Sequence, residues 1–385
     1  MSVKTRKDIS MKPVKVMLAG IGGYGDGYLC RLFGLSDKGM AEVAGLIEPF
    51  PACCQRMDEV TRRGWKIFPS LDEFYKNNDC ELAVISTPIQ FHTRMIKKAL
   101  SEGSSVLCEK PLTGDARDID TLINARDRAG KFVMIGYQWS HSDAILSMKR
   151  DVLSGVYGKP EFLKTIVLWP RNKTYFKRGS GWAGKISDAD GTLINDSVAN
   201  NATAHYLHNI FFTLGKTLDT SLTPDTVKAE LRRANPIENF DTAIIECGFT
   251  NGAKSLFIAS HSTKKNLEPS FEYRFTNGTI EFDEASGGHI IGKLNDGTSR
   301  DYGNPFADQM NKLDIAFNNV MKARNGEKAF VPCGIETASA QTLCIAECQK
   351  QEIKNFPEER KRLAEGELTY IDGLYDELIS RYKKA

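Results

Sequence analysis

No apolar run in the 385 residues approaches the roughly 18 to 20 needed to cross a bilayer. Neither sign of charge is in excess: 51 Lys plus Arg stand against 49 Asp plus Glu, a formal net charge of +2, so nucleic acid is not indicated as the main partner. The nine cysteines lack framework spacing. The closest, Cys53 beside Cys54 and Cys344 near Cys348, miss the two-residue gap of a zinc or redox pair, so all read as reduced thiols, most of them buried. Internal repeats and low-complexity segments are missing as well. Residues 1–10 are basic and polar with no apolar stretch behind them, which argues against a secretory signal and for the cytoplasm. What remains is ordinary globular composition, 41% hydrophobic and 26% charged, at a length that predicts roughly two to three domains.

The first 140 residues alternate short apolar runs with helical patterns. The runs are Val14–Ala19, Val43–Ile47, Glu81–Ser86, Ser105–Cys108 and Phe132–Ile135. A helix is predicted after the first run, through Leu29, Leu32 and Phe33, and others over Ala52–Arg63, Phe91–Leu100 and Ala116–Ala129. Continuous apolar strands separated by helices indicate a parallel, doubly wound α/β domain, residues 1–140. From 141 to 385 the pattern becomes α+β. After a helix at Ala144–Leu153 and a strand at Phe162–Trp169 come runs of antiparallel type at Val227–Arg233, Thr242–Phe249, Lys254–Ser260, Phe271–Phe275, Thr279–Phe282 and His289–Leu294. Asn251-Gly252 and Asn277-Gly278 supply hairpin turns. Helices over Asp308–Ala323, Ile335–Gln349 and Ile371–Tyr382 follow. A sheet left open on one face is expected to pack on a second subunit, giving a homodimer or homotetramer through the C-terminal sheet.

Gly20, Ile21, Gly22, Gly23, Tyr24 and Gly25 fit G-x-G-x-x-G directly after the first strand and at the start of the first helix. There a backbone must come close enough to touch a pyrophosphate, on a helix N-terminus whose free N–H groups favour anions. Glu48, at the end of the second strand, suits the ribose hydroxyls and repels a 2′-phosphate, and no Arg or Lys follows until Arg56. NAD is therefore expected rather than NADP. Ser86, Thr87, Pro88 and His92 follow one strand, and Glu109-Lys110-Pro111 another, both at the carboxyl edge where open α/β sheets bind ligands. Pro111 restricts the backbone of Lys110, a plausible way to present an ammonium to a reacting oxygen.

This ordered set, together with Gly136-Tyr137-Gln138, resembles the Gfo/Idh/MocA oxidoreductases over roughly residues 13 to 350. The resemblance implies NAD(P) in the first domain, a sugar, cyclitol or related polyol against the second domain's sheet, and Lys110 near the nicotinamide and the substrate hydroxyl. It extends the cofactor site to Glu109 and Gln138 and the substrate site to Tyr137. Members carry D-x-x-x-H on a helix ending at a glycine. Counting back from Gly215, His205 matches the histidine and Asn201 takes the aspartate's place; a second register puts Asp196 and Asn200 on the motif but loses the histidine.

Helical spacing places Asn201, His205 and His208 on one face, opposite an apolar stripe of Tyr206, Leu207, Ile210, Phe211 and Leu214. A polar stripe of this kind needs partners or a cleft. Two histidines at i, i+3 with no nearby Cys do not make a metal site. The reading is hydride transfer, with His205 as base, Lys110 stabilising the alkoxide and Asn201 orienting by hydrogen bonds. Tyr175 and Trp182, in the loop from Trp169 to Lys185, offer aromatic faces to a sugar ring. Arg171, Lys173, Lys177, Arg178 and Lys185 in that loop are either solvated or hold a substrate anion. Two other functions fit the same residues: a glycosidase or epimerase using tightly bound NAD without net redox change, and a non-catalytic NAD-binding sensor.

Overall fold

The structure, a computed structural model, describes residues 12–178 and 181–385; the polar segment 1–10 read above lies outside them. The first domain runs β1 (Val14–Ala19), α1 (Gly25–Asp37), β2 (Ala41–Ile47), α2 (Met57–Arg62), β3 (Ile67–Phe68), α3 (Leu71–Tyr75), β4 (Leu82–Ile85), α4 (His92–Ser101), β5 (Ser105–Cys108), α5 (Asp118–Ala129) and β6 (Val133–Ile135). Its strands form one parallel sheet in the order β3-β2-β1-β4-β5-β6, the doubly wound arrangement expected of continuous apolar runs. Val14, Val16 and Leu18 pack on Tyr28, Leu29 and Leu32 of α1, whereas Met17 and Ala19 face Met95 and Ile96 of α4. The helix predicted from Ala52 to Arg63 is broken. Pro51–Cys53 form a single tight turn and α2 begins at Met57, because Val60 is the one residue of α2 with a buried side chain to anchor it.

The second domain continues with α6 (Asp143–Leu153), β7 (Pro160–Leu168), α7 (Lys173–Phe176), α8 (Ala204–Thr213), β8 (Thr226–Arg233), β9 (Thr242–Gly248), β10 (Lys254–Ser260), β11 (Leu267–Phe275), β12 (Gly278–Asp283), β13 (Ile290–Leu294) and β14 (Ser299–Gly303). Then come α9 (Asn311–Arg324), α10 (Ile335–Gln349), β15 (Ile353–Asn355), the hairpin β16 (Lys361–Ala364) and β17 (Leu368–Ile371), and α11 (Leu374–Lys384). The large sheet has the order β14-β13-β12-β11-β7-β10-β9-β8-β15 and is antiparallel except at β7–β10 and β8–β15. Its inner face meets α6, α8 and α10 in a core that includes Met148, Phe211, Phe257, Tyr273 and Ile345.

Two features depart from a simple division near residue 140. Helix α9 returns to the first domain, where Leu313, Ala316, Phe317 and Val320 share a core with β1 and α1. The outer face of the large sheet, expected to be open, is covered over its apolar centre by the chain's own C-terminus. Leu374 and Leu378 of α11, with Phe356 and Ile371, pack on Ile166, Leu168, Ile244, Leu256 and Ile258. Beyond that cover the same face carries charges, among them Lys228 paired with Glu246 and Glu272 paired with Glu281. The alternation on β7, β9 and β10 announces two buried faces, but only the tail's amphipathic α11 says which segment fills the second. Among the described residues no helix is long and apolar enough to cross a membrane, and all nine cysteines are free.

Candidate active site

The glycine loop lies at the carboxyl edge of the parallel sheet, between β1 and α1. Gly20 adopts a left-handed φ of 83°, and a Cβ there would lie 2.2 Å from the Ser86 carbonyl oxygen. A Cβ on Gly25 would lie 2.1 Å from the carbonyl oxygen of Gly20. The turn and the close packing of helix on strand both require the missing side chains. Gly22 approaches Cys53, and Gly23 has open space where its side chain would be. Glu48 follows β2 and turns into this loop: its carboxylate accepts the Ile21 N–H at 3.4 Å and the Phe50 N–H at 3.1 Å. Burial and the Glu48 charge push the neighbouring Cys53 thiol up to about 11, so it stays protonated. A bare glycine backbone at the start of α1, with a carboxylate after β2, fits a dinucleotide.

The other predicted cofactor residues divide. Ser86 joins the edge through its N–H to the Ala19 carbonyl, Thr87 Oγ1 donates to Met95 Sδ at 3.4 Å, and Pro88 leads into the turn before α4. Gln138 Oε1 accepts from the Tyr24 hydroxyl at 3.0 Å, tying the glycine loop to the end of β6. His92 is corrected from a ligand residue to a brace. It is buried, with Nδ1 2.8 Å from the Pro111 carbonyl and Nε2 2.9 Å from the Thr87 carbonyl, so the neutral ring donates to one of these carbonyls and its other nitrogen faces the second. Burial, opposed by those two carbonyls, keeps its pKa below the ordinary value.

Glu109 and Lys110 point to opposite tasks. Glu109 is buried and forms an ion pair with Lys312, which is itself fully buried; the Tyr28 hydroxyl donates to the same carboxylate at 2.7 Å. Burial works against the Glu109 carboxylate, but Lys312, Tyr28 and Lys110 hold its pKa below the usual range. Lys312 Nζ also donates to the Tyr24 oxygen at 3.1 Å. Glu109 is thus a structural anchor under the glycine loop. A lysine in phase with the apolar stripe of α9 was the available sequence signal for its partner.

Lys110, held by a cis peptide bond to Pro111, sends its ammonium across to the second domain. Its Nζ donates to the Asn201 backbone oxygen at 2.8 Å and to Asn201 Oδ1 at 2.9 Å. Asn201 Nδ2 in turn donates to Asp196 Oδ1 at 2.8 Å, and the other Asp196 oxygen accepts the Gly184 N–H at 2.5 Å. An amide can do what an aspartate cannot: accept from the lysine and donate to a carboxylate at once. Asp196, from the second register, thus lies behind Asn201 of the preferred one, while Asn200 bonds to the Asn195 carbonyl and to Gln341. Burial raises the Asp196 pKa, against the Gly184 N–H, Arg178, Asn201 and Lys110. For Lys110 burial is the main influence and brings its pKa down to about 8.

Asn201 is not on α8. Val198–Ala202 form a π-helical turn, Thr203 leaves helical geometry, and α8 begins at Ala204. Such wide turns recur at functional sites because they re-aim side chains. His205, in the first turn of α8, is 9% exposed, with its Nδ1 buried and unpartnered. The edge of Tyr137 meets its ring at 5.9 Å. Burial and then the Lys110 charge hold the His205 pKa well below its ordinary value, so its imidazole is neutral and lies within reach of the Lys110 field.

The polar stripe expected on this helix is only partly right, because every residue of α8 is buried. His208 belongs to the core: its ring stacks on Tyr137 at 4.0 Å and its Nε2 lies 2.9 Å from Ser140 Oγ. Tyr137 is fully buried, its hydroxyl bonded to Gln341 Oε1 at 2.9 Å. Tyr137 is satisfied by that stacking and its hydrogen bond, whereas His208 Nδ1, like His205 Nδ1, is buried without a partner; the Tyr137 and His208 side chains are both fully buried, which speaks against direct contact with a substrate. Tyr175 and Trp182 lie half-buried in the loop beside Asp196, with Arg178 over both rings at 3.6 and 4.7 Å. Among the described residues no group of three His, Cys, Asp or Glu side chains is placed to hold a metal.

Residues 14–137 match the family profile described as "Oxidoreductase family, NAD-binding Rossmann fold". A 1-carboxy-3-chloro-3,4-dihydroxycyclohexa-1,5-diene dehydrogenase of Comamonas testosteroni is 33% identical over 96 residues, 25% of this chain and 24% of its own length. An inositol 2-dehydrogenase of Leifsonia xyli is 27% identical over 154 residues, 40% of this chain and 44% of its own. The chain thus spans less than half the length of the curated relatives it matches. The WlbA dehydrogenase of Bordetella pertussis, solved with NADH and UDP-GlcNAcA, shares the fold with a TM-score of 0.69 at 18% identity, over 88% of this chain and 97% of that one. Residues 14–137 thus match the NAD-binding Rossmann domain of the Gfo/Idh/MocA oxidoreductases.

Proposed function

We propose that this protein is an NAD-dependent dehydrogenase acting on a hydroxyl of a sugar, cyclitol or related polyol. The observation that carries the reading is the bridge from Lys110 to Asn201 beneath a neutral, unpartnered His205, at the carboxyl edge of the sheet that bears the glycine loop. Inositol 2-dehydrogenases among the relatives and NADH in the WlbA structure support it. Glu48 would take the ribose hydroxyls and turn away a 2′-phosphate, favouring NAD over NADP. The nine free thiols suit a reducing cytoplasm.

Bound NAD supplies an acceptor for the hydride leaving the carbinol carbon. His205, neutral at working pH, accepts the hydroxyl proton at an imidazole nitrogen, a transfer that contributes about 10² to 10⁴ in rate. The Lys110 ammonium faces the same oxygen and stabilises the charge that grows there. Asn201 is a positioning residue. Its carbonyl groups hold the ammonium in place, and Asp196 fixes which way its amide points. Partial burial of Lys110 and His205 strengthens each of these electrostatic contacts over its value in water.

A panel of inositols and neutral and acidic sugars, offered with NAD and with NADP while NADH absorbance and product are followed together, tests the reading. Net NADH with a polyol, abolished in Lys110→Met and His205→Asn while NADH still binds, is the expected result. Product without net NADH would instead identify the redox-neutral glycosidase or epimerase, and unaltered turnover in both variants would remove the two residues from the chemistry.

A further inference from the structure

The segment between β7 and the π-helical turn carries two guanidinium groups without a counter-ion. Arg171 and Arg178 are both half-buried, and among the described residues neither forms a salt bridge. Of other half-buried arginines, Arg63, Arg126 and Arg324 are paired with a carboxylate, and Arg233, which is not, donates instead to Asn355 Oδ1 and to the Ile237 and Glu238 carbonyls. Arg171 and Arg178 flank one aromatic ring instead. Their guanidinium carbons lie 5.1 and 3.6 Å from the centroid of Tyr175, which leaves the two like charges within about a Debye length of each other. Arg178 also lies over Trp182 at 4.7 Å and Arg171 over Trp169 at 5.5 Å. Among the described residues the one side-chain hydrogen bond from either is Arg178 Nη1 to the Tyr175 carbonyl at 2.7 Å, and Arg171 Nε is buried with no acceptor there.

The neighbours offer little neutralisation: Asp196 interacts with Arg178 through space, but among the described residues the two form no salt bridge. His261 tilts against Tyr175 at 5.5 Å, but burial and the two arginines hold it uncharged, with a pKa of about 3. The Glu268 carboxylate on this side is engaged by the Trp169 indole N–H at 2.8 Å and by Asn266. The cluster connects directly to the candidate active site: the Gly184 N–H of the same loop binds Asp196, and the Arg178 charge acts on Asp196 and on Lys110. Two arginines braced by aromatic faces and missing two-oxygen acceptors are the arrangement that recognises a carboxylate or a phosphate.

We propose that Arg171 and Arg178 form an oxyanion subsite, so that the polyol oxidised beside Lys110 carries a carboxylate or a phosphate. This rests on the dehydrogenase reading above and specifies its substrate class. The anion would sit between the guanidinium groups, with Tyr175 and Trp182 under the ring that links it to the reacting hydroxyl. Neutral polyols would leave two adjacent charges facing each other, which costs affinity and discriminates against them.

Calorimetric binding to the protein saturated with NADH tests this without turnover, so a failure of the dehydrogenase reading is seen separately in the NAD assay. The probes are matched sets: D-glucose, D-glucuronate and D-glucose 6-phosphate; D-galactose, D-galacturonate and D-galactose 6-phosphate; and myo-inositol with its 1-phosphate. At least one anionic member is expected to bind about 10- to 100-fold more tightly than its neutral counterpart, the fold-change for a charged hydrogen-bonded pair. Arg178→Gln and Arg171→Gln should each reduce that preference about tenfold or more, and which anion is preferred separates a carboxylate site from a phosphate site. If no anionic member outbinds its neutral counterpart, including the case in which none binds, or if the preference survives both substitutions in folded protein, the proposal is overturned.

Discussion

Replacing Asp196 by Asn removes one buried negative charge while keeping shape, and the structure says what should follow. Asp196 is one amide away from the Lys110 ammonium, through hydrogen bonds of 2.8 and 2.9 Å. At roughly 7 Å and an effective dielectric of about 20, a unit charge is worth about 2 kcal/mol. That is enough to move the Lys110 titration down by at least about one pH unit, from about 8 toward 7. Because Lys110 assists as an ammonium, its contribution is complete below its pKa and is lost above it. Initial rates of NAD reduction at saturating polyol should therefore fall on the alkaline side near pH 8 in the wild type, and about one unit earlier in Asp196→Asn. At pH about 7.5 the variant should be roughly threefold slower, and it should recover as the pH is lowered. A second effect is independent of charge: one of the two donors to Asp196, Gly184 N–H or Asn201 Nδ2, loses its acceptor, at a cost of about 1 to 3 kcal/mol in stability. An alkaline limb at the same pH in both proteins would refute the electrostatic link. A wild-type rate that rises through pH 8 would show instead that the neutral amine is the active form and that Lys110 is itself the base.

Three further outcomes follow from the same contacts. Lys312→Met strands the buried Glu109 carboxylate and should cost about 3 to 5 kcal/mol in denaturant unfolding. Its pH dependence should also invert. In the wild type the depressed Glu109 pKa gives stability that is lost on acidification, whereas without Lys312 burial raises that pKa and acid restores stability. Glu48→Gln should weaken NADH binding about tenfold in a fluorescence titration and narrow the preference over NADPH, since a neutral amide no longer repels a 2′-phosphate. Removal of residues 374–385 uncovers Ile166, Leu168, Leu256 and Ile258, and sedimentation should then report self-association that the full chain does not show through this face.

The first domain was readable because its signals are local. Four-residue strands buried on both faces have no polar alternation to obscure them, and the glycines must be where a backbone approaches another backbone. The same holds for the hairpin strands of the second domain, whose inner residues Phe271, Tyr273 and Phe275 alternate with Ser270, Glu272 and Arg274. Non-local pairs resisted the reading. Nothing near Glu109 in sequence announces Lys312, and a histidine at i+3 from His205 gives no sign that its ring will stack on Tyr137 inside the core. The π-helical turn defeated the helical wheel in a specific way. By breaking phase at Thr203 it sets Asn201 in the π-helical turn and His205 in α8, so one wheel drawn through both does not describe their relation. The C-terminal cover was missed for a thermodynamic reason: an amphipathic helix shows that it has an apolar face but not which surface that face will meet.

The convergence of Lys110 and His205 on one reacting hydroxyl is tested most directly by a double-mutant cycle on the single-turnover rate of NADH formation, using Lys110→Met, His205→Asn and the combined variant. If both groups act on the same oxygen, the combined variant should lose little more than the worse single variant, because each depends on the other to make the transfer work. Losses that multiply, leaving the combined variant slower by the product of the two single effects, would show that the groups act independently and would contradict the account.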